Sequence, residues 1–196
     1  MKNAILLTAD LFCGIVNQIN LSRKHVHSGK ELVINGVLHL HGNGTLRIGS
    51  GVQINSSEIS NPIGGMSHMI ISVYGDACVQ IGDHTGISNS AINCRSGIVI
   101  GDHTKIGGDT KIYDSDFHSL DPAQRMNGET DVPAAQPIFI GNHVFIGAHS
   151  IILKGVHIGD YSIVGAGSVV VHDIPSRQVW AGNPARFIRE LDSVKI

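Results

Sequence analysis

The feature that most constrains this chain is a run of β-branched aliphatic residues spaced six apart. The longest run has no interruption over thirty residues: Ile140, Ile146, Ile152, Ile158, Val164 and Val170. Shorter runs with the same step occur earlier in the chain: Ile48 and Ile54, Ile81 and Ile87, and Ile100, Ile106 and Ile112. Since a strand has a period of two and a helix a period of 3.6, this step fits neither a single helix nor an ordinary hairpin sheet.

A triangular solenoid accounts for the period. Each six-residue unit is a short strand followed by a corner, and three units complete one coil of about 18 residues. Coils then stack at the strand spacing of about 4.8 Å. One β-branched side chain per unit fills the interior, and glycine follows it where the backbone turns. An immunoglobulin-like sandwich, the rival fold, would show turn signals every 8 to 12 residues or so. We therefore predict an all-β solenoid.

The 12 histidines of the chain suggest metal binding at first sight. However, His84, His103 and His143 each stand three residues after an aliphatic residue, in Gly-Asp-His or Gly-Asn-His corners. Such positions favour residues that tolerate unusual backbone angles. His149 and His157 also fall at repeat or turn positions. We interpret these five histidines as surface residues rather than metal ligands.

Composition excludes several classes of function. Lys and Arg total 14 and Asp and Glu total 16, so no basic footprint for a nucleic acid or an anionic membrane is present. Cys13, Cys78 and Cys94 are odd in number and lack CxxC spacing, which argues against a disulfide framework and a zinc cluster and favours the cytoplasm. No stretch approaches the roughly 18 apolar residues of a membrane span. Asp10 interrupts the apolar N-terminal run, so a signal peptide is not favoured.

The stretch from about Ile48 to Arg189 resembles the hexapeptide-repeat acyltransferases, and within them the maltose and galactoside acetyltransferases. That resemblance implies a left-handed parallel β-helix, acetyl-CoA as co-substrate, no metal, and a homotrimer with the active site between subunits. The γ-class carbonic anhydrases share the β-helix and bind zinc through three histidines, two of them five residues apart. No two histidines of this chain are five apart, so a zinc site of that type is not expected.

Three segments are predicted. Residues 1–32 contain a helix from residue 3 to about 22, with Leu6, Leu7, Leu11, Ile15, Ile19 and Leu21 as its apolar pattern. Residues 33–175 form the β-helix, with a polar loop at 114–136 that lacks the repeat and is therefore expected to be functional. Residues 176–196 end in a short helix that begins at Asn183-Pro184. Ile87 and Ile100 are 13 apart, which predicts a bulge or a widened corner between them.

His118 is the candidate catalytic residue. It follows Ile112 by six residues, so it takes a core position beside the exit of the loop. Histidine can accept a proton near pH 7, as a general base must. The segment YDSDFHSLDP resembles the catalytic segment of sugar O-acetyltransferases, in which this histidine is the base. The alternative is one more corner histidine. Asp116 is a candidate for orienting His118, although a backbone carbonyl would serve as well.

The resemblance also implies where acetyl-CoA binds. Its pantetheine arm would lie in a groove beside the regular coils, against backbone groups of small residues: Gly147, Ala148, Gly165, Ala166 and Ser168. The N–H of Ala148 would be the oxyanion donor. Phe145 stands where several relatives have a tryptophan beside the cofactor.

The C-terminal motif AGNPARFIRE resembles the family's closing motif, which lies near the coenzyme A phosphates. On a helix, Arg186 and Arg189 would share one face and hold those phosphates. The alternative is that they form salt bridges with Glu190 or Asp192. The family often has a lysine near position 172, where this chain has His172, and that puts one phosphate contact in doubt.

Asn89 and Asn93 are both candidates for the contact to the acceptor, together with Asp116. The sequence therefore predicts an acetyl-CoA-dependent O-acetyltransferase that acts on a sugar, as in the synthesis of capsule or lipopolysaccharide. Transfer would be direct, because no serine or cysteine nucleophile has a supporting base. The alternatives are an N-acetyltransferase of a nucleotide-linked amino sugar and a non-catalytic β-helix scaffold.

Overall fold

Three β-sheets carry the chain, parallel except at the last strand of one of them, as the computed structural model shows for residues 2–65 and 67–192. With strands numbered in chain order, sheet A consists of β1 (His27–Ser28), β4 (Thr45–Ile48), β7 (Cys78–Ile81), β10 (Gly97–Ile100), β13 (Ile138–Ile140) and β16 (His157–Ile158). Sheet B consists of β2 (Val33–Gly36), β5 (Gln53–Ser56), β8 (Gly86–Ser88), β11 (Lys105–Ile106), β14 (Phe145–Ile146), β17 (Ile163–Val164), β19 (Gln178–Ala181) and β20 (Arg186–Glu190). Sheet C consists of β3 (His39–Gly42), β6 (Ile70–Val73), β9 (Ala91–Cys94), β12 (Lys111–Tyr113), β15 (Ile151–Ile152) and β18 (Val169–Val170).

Successive strands from β1 to β18 join sheets A, B and C in rotation, and each strand from β1 to β15 pairs in parallel with the strand three places further along the chain. This is the connectivity of a three-sided coil. The three parallel sheets and the hexapeptide period fit the left-handed β-helix that the resemblance implies.

The six-residue step places one aliphatic ladder inside each sheet. In sheet B the inward residues follow one another in register: Ile54, Ile87, Ile106, Ile146 and Val164. Each has at most 3% of its surface exposed. The β-branched side chains therefore stack on like side chains in neighbouring coils, which is the packing predicted from the period.

The expected irregularity between Ile87 and Ile100 is a widened corner, since Ile92 continues the sheet C ladder and the extra residues fall after it. The backbone N–H groups of Arg95, Ser96 and Gly97 all donate to the carboxylate of Asp114, at 2.8, 2.7 and 2.7 Å. Asp114 is fully buried. A buried carboxylate is stable there because three N–H groups replace its water.

The predicted corner positions of three histidines are confirmed, and all three side chains are exposed. His84, His103 and His143 have φ angles of 56, 56 and 55°, and their rings stack at 4.9 and 4.8 Å. Tyr161 continues the stack at 4.9 Å, and the guanidinium of Arg177 lies over its ring. These side chains form a ladder along the corner between sheets A and B.

The predicted N-terminal helix is present as α1 (Lys2–Arg23). Asn17, which is 4% exposed, anchors it: its amide donates to the carbonyl of Gly36 and accepts from the N–H of Leu38. Leu21 packs against the core, whereas Leu11, Ile15 and Ile19 are exposed, so most of the predicted apolar pattern does not face the coils. Leu6 and Leu7 lie outside the residues whose side chains are described. No helix in the described ranges is long and apolar enough to cross a membrane.

The predicted C-terminal helix is wrong. Arg186 to Glu190 instead form β20, which pairs antiparallel with β19 at the end of sheet B. A helix of about ten residues is marginal in water without packing, whereas the free edge of β19 offers backbone partners. The last two residues of the predicted helix, Ser193 and Val194, lie outside the described residues.

The adjacent residues Ile151 and Ile152 test the packing directly, because Ile152 is fully buried and Ile151 is only partly buried on the outer face of sheet C. We expect Ile152→Ala to lower the free energy of unfolding by about 2–5 kcal/mol, since it leaves a cavity in the ladder. Ile151→Ala is the matched control and should cost less than half as much. Urea unfolding of both variants measures the difference, and equal losses would contradict the ladder.

Candidate active site

A short antiparallel neck carries the 114–136 loop away from sheet C. The N–H of Gln136 donates to the carbonyl of Asp114 at 2.9 Å, and the N–H of Asp116 donates to the carbonyl of Ala134 at 3.0 Å. Beyond the neck, Asp121 caps the short helix α2 (Pro122–Arg125) by accepting from the N–H of Ala123. The loop is thus ordered by its own hydrogen bonds rather than by the repeat.

His118 lies in this loop and pairs with Asp131. Its Nδ1 is 2.6 Å from Oδ2 of Asp131, and the N–H of Ser119 donates to the other carboxylate oxygen at 2.6 Å. The hydrogen bonds from His118 and Ser119 hold the pKa of Asp131 below its ordinary value. An ionised carboxylate only accepts, so Nδ1 carries the proton. The other ring nitrogen, Nε2, is left with a lone pair that can take a proton.

The expected core position of His118 is wrong, because 67% of its side chain is exposed. The chain leaves the coil at Asp114, four residues earlier, so the six-residue step no longer applies. The suggestion that Asp116 orients His118 is also wrong, since the Asp116 carboxylate pairs with Lys154. Asp131 is the carboxylate that contacts His118. As an acceptor contact, Asp116 stays a prediction.

The predicted pantetheine residues lie together at the corner between sheets B and C. A Cβ on Gly147 would come within 2.4 Å of the backbone nitrogen of Ala166, and one on Gly107 within 2.5 Å of that of Ala148. Only glycine permits this approach of successive coils. In the described part of the chain, the N–H groups of Ala148 and Ala166 have no acceptor. The corner therefore offers a column of free donors.

Two other predicted cofactor residues, Ser168 and Phe145, differ in how accessible their side chains are to a cofactor. Ser168 is fully buried, and its hydroxyl donates to the carbonyl of Gly165 and accepts from the N–H of Gly182, so the hydroxyl serves the fold. Phe145 is half exposed on the outer face of β14. With Lys105 and Gly107 it lines a groove of about 290 Å³ next to the same corner.

Arg186 and Arg189 share one face although they lie on a strand. Directly opposite residues of an antiparallel pair share a face, and Arg186 is opposite Ala181 while Arg189 is opposite Val179. Because Val179 and Ala181 are two apart, a β-bulge in β20 brings both arginines to the same side. Both are exposed, and among the described residues neither forms an ion pair with Glu190 or Asp192.

The two acceptor candidates occupy different places. Asn89 is 1% exposed, and its amide donates to the carbonyls of Ser57 and Asn61, so it fastens the segment that contains the short 3₁₀ helix Pro62–Gly64. Asn93 lies on β9 beside Tyr113 of β12, at the end of sheet C from which the loop departs. Its side-chain oxygen is buried and accepts no hydrogen bond from a described residue.

The loop with His118 and the free N–H groups lie at opposite ends of the strands of sheet C. Ala148 precedes β15 at the corner with sheet B, whereas the loop with His118 follows β12 at the corner with sheet A. The sequence points to both corners but gives no sign of Asp131. That aspartate lies 13 residues from His118 in a segment without a period, so only the folded loop shows the pair.

The His118–Asp131 contact predicts a titration. In His118→Ala the pKa of Asp131 should rise toward its ordinary value, because the main hydrogen bond that lowers it is lost. The stabilisation from this contact is full above the unfolded pKa of about 3.9 and is lost as pH falls through the lower folded value. Carboxyl NMR measures both pKa values. His149→Ala is the control and should leave Asp131 unchanged; a pKa that does not move in His118→Ala would contradict the pairing.

The repeat of this chain also occurs in known proteins. Residues 137–172 match the family model described as bacterial transferase hexapeptide (six repeats). Galactoside O-acetyltransferase of Escherichia coli (strain K12) is 49% identical over 75 residues, which are 38% of this chain. The chain spans only 36% of the length of that relative.

Two solved structures share the fold over nearly the whole chain. The hexapeptide-repeat containing acetyltransferase VCA0836 of Vibrio cholerae is 28% identical to this chain, with a TM-score of 0.61. The alignment covers 97% of this chain and 93% of the VCA0836 chain. That protein has also been solved with acetyl coenzyme A. An N-acyltransferase of Bacillus cereus, AntD, solved with dTDP and coenzyme A, is 24% identical with a TM-score of 0.70 and 90% coverage of each chain, which shows the fold alone. In its repeat over residues 137–172 and in its fold, the chain is therefore similar to hexapeptide-repeat transferases.

Proposed function

We propose that this protein is an acetyl-CoA-dependent O-acetyltransferase that acts on a sugar hydroxyl. The observation that carries the proposal is the His118–Asp131 pair, which leaves Nε2 of an exposed imidazole free to accept a proton. The similarity to galactoside O-acetyltransferase and to an acetyltransferase solved with acetyl coenzyme A supports the reaction class.

The proposed mechanism is direct transfer. His118 Nε2 takes the proton of the acceptor hydroxyl while the oxygen attacks the thioester carbonyl carbon. The Ala148 N–H donates to the oxyanion that forms. When the tetrahedral intermediate collapses, the carbon–sulfur bond breaks and the thiolate takes the proton from the imidazolium. The products are the acetyl ester and coenzyme A, and Asp131 stabilises the imidazolium between the two proton transfers.

The proposed assembly is a homotrimer of left-handed β-helices. One chain holds the base and the N–H donors at opposite ends of the strands of sheet C, so the loop of one copy must meet the corner of the next. This is the arrangement that the family resemblance implies, with the active site between subunits.

The C-terminal segment would complete the cofactor groove. The N–H of Ala185 donates to the carbonyl of Val169, which brings Arg186 to the corner that carries Gly165 and Ala166. The shared face of Arg186 and Arg189 then offers two guanidinium groups to the phosphates. The proposed position of the adenosine end is therefore beside β20, with Phe145 along the path.

The acceptor is proposed to be a sugar of a surface polysaccharide, acetylated in the cytoplasm where acetyl-CoA is available. The side-chain oxygens of Asn89 and Asn93 are both buried without a described partner, and Asn93 is the better placed because it lies beside Tyr113 at the end of sheet C from which the loop departs. The second candidate function is N-acylation of a nucleotide-linked amino sugar, which the fold shared with the dTDP-bound N-acyltransferase favours. A scaffold has no use for the His118–Asp131 pair.

Thiol release from acetyl-CoA tests the base. We expect His118→Ala to lower kcat by about 10²- to 10⁴-fold, the usual contribution of a general base. Asp131→Asn should lower it less, because the imidazole remains but loses its orienting charge. His157→Ala, an exposed histidine on sheet A, is the matched control. A His118→Ala variant with full turnover would overturn the mechanism, and a panel of hydroxyl and amino sugars separates O- from N-acylation.

The arginine pair predicts a change in cofactor affinity alone. Arg186→Ala with Arg189→Ala should raise KM for acetyl-CoA about tenfold or more and leave kcat within about twofold, because the phosphates are remote from the reacting carbonyl. Arg47→Ala on sheet A is the control. An unchanged KM in the double variant would remove these arginines from the cofactor site.

A further inference from the structure

An open cleft of about 490 Å³ lies on the outer face of sheet C, away from the loop that carries His118. Its polar lining consists chiefly of His39, His41, His68, Ser67, Asp109 and Lys111. Nothing in the proposed mechanism uses these side chains. Three imidazoles in one cleft call for a chemical explanation.

The three histidines come from two elements. His39 and His41 are two apart on β3, so they share the outer face, while Leu40 between them packs on the core. His68 lies in the segment before β6, with its ring 5.5 Å from that of His39. Its Nδ1 lies 3.1 Å from the carbonyl oxygen of Ser56 and therefore donates to it. Nε2 of neutral His68 thus holds a lone pair and becomes a donor only when the ring is protonated.

The carboxylate of Asp109 is already occupied. It pairs with Lys111, accepts from the hydroxyl of Ser67 at 3.0 Å and lies 3.3 Å from Nδ1 of His149. Although partial burial opposes ionisation, these hydrogen bonds hold the pKa of Asp109 below its ordinary value. Lys111 balances its charge, so the histidines set the net charge of the cleft.

The ionisation of His39 is sensitive to neighbouring charge. Burial, and then the neighbouring His68 and His41, lower the pKa of His39, since each positive charge disfavours the next. A negative group among the rings would reverse this effect and favour protonation. In the described ranges, no three His, Cys, Asp or Glu side chains are placed to hold one metal ion.

The cleft continues the corner that carries the free N–H donors. The N–H of Asp109 donates to the carbonyl of Asn89, and in the next coil the N–H of His149 donates to the carbonyl of Gly108. Ala148, whose N–H is the proposed oxyanion donor, adjoins His149. A ligand in the cleft therefore lies along the column that leads to the thioester.

We propose that this cleft binds an acidic group of the sugar acceptor, a carboxylate or a phosphate, through His39, His41 and His68. The inference rests on the proposed function for its acceptor, but binding tests it without turnover. Because the rings take up protons as the anion binds, affinity rises as pH falls from 8 to 6. Turnover should depend on pH in the opposite direction, since a protonated His118 cannot accept a proton.

Titration calorimetry with glucuronate, glucose 6-phosphate and glucose tests the proposal. At pH 6 at least one acid should bind tenfold or more tightly than glucose, and the advantage should shrink at pH 8. The acid that binds more tightly distinguishes a carboxylate from a phosphate. His39→Gln with His68→Gln should reduce the advantage to about twofold or less, whereas His157→Gln on sheet A should preserve it. Unchanged melting temperatures exclude loss of fold as the cause.

Equal binding of glucose and both acids, no binding at all, or an advantage that survives in the double variant would overturn the proposal. Its failure is distinct from failure of the proposed function. Turnover that depends on His118 with neutral sugars alone would retain the acetyltransferase and remove the acidic acceptor. Binding of acids without thiol release would retain the anion-binding cleft and remove the acetyltransferase.

Discussion

The stacking of one β-branched residue on the next, coil after coil, is the interaction on which the rest of the structure depends. The ladder from Ile54 to Val164 fills the interior of the prism, and buried polar side chains such as Asp114 and Ser168 are already engaged in hydrogen bonds with backbone groups. Chemistry must therefore lie on outer faces, at corners, or where the chain leaves the coil. Each of the sites described here has one of those three positions.

The repeat could be predicted because its cause is local. A strand and a corner in six residues need an aliphatic residue followed by a small one. The sequence shows that pattern at Ile146-Gly147, and in the structure Ile146 is the paired strand residue. The left-handed backbone of His103 and His143 follows from the same corner. Positions that the six-residue period fixes could therefore be predicted from the sequence.

Positions outside the period were not. The loop is held by contacts such as His118 with Asp131 and Lys154 with Asp116, which join residues that no spacing rule connects. The C-terminal segment carried helix signals, yet the free edge of β19 outweighed them. Arg186 and Arg189 were expected to share a face because a helix would place them three residues apart on one side. They do share a face, but because of a β-bulge in a strand.

The central claim is that catalysis joins the loop of one copy to the corner of another. His118→Ala removes the base, and Ala148→Pro removes the oxyanion donor, at a position followed by a residue with positive φ (His149, φ of 61°), as proline is in a type II turn. The decisive measurement is thiol release after the two inactive variants are unfolded together and refolded. Activity should return in the mixture, since some interfaces then combine two intact halves. A mixture as inactive as either variant alone would contradict the account.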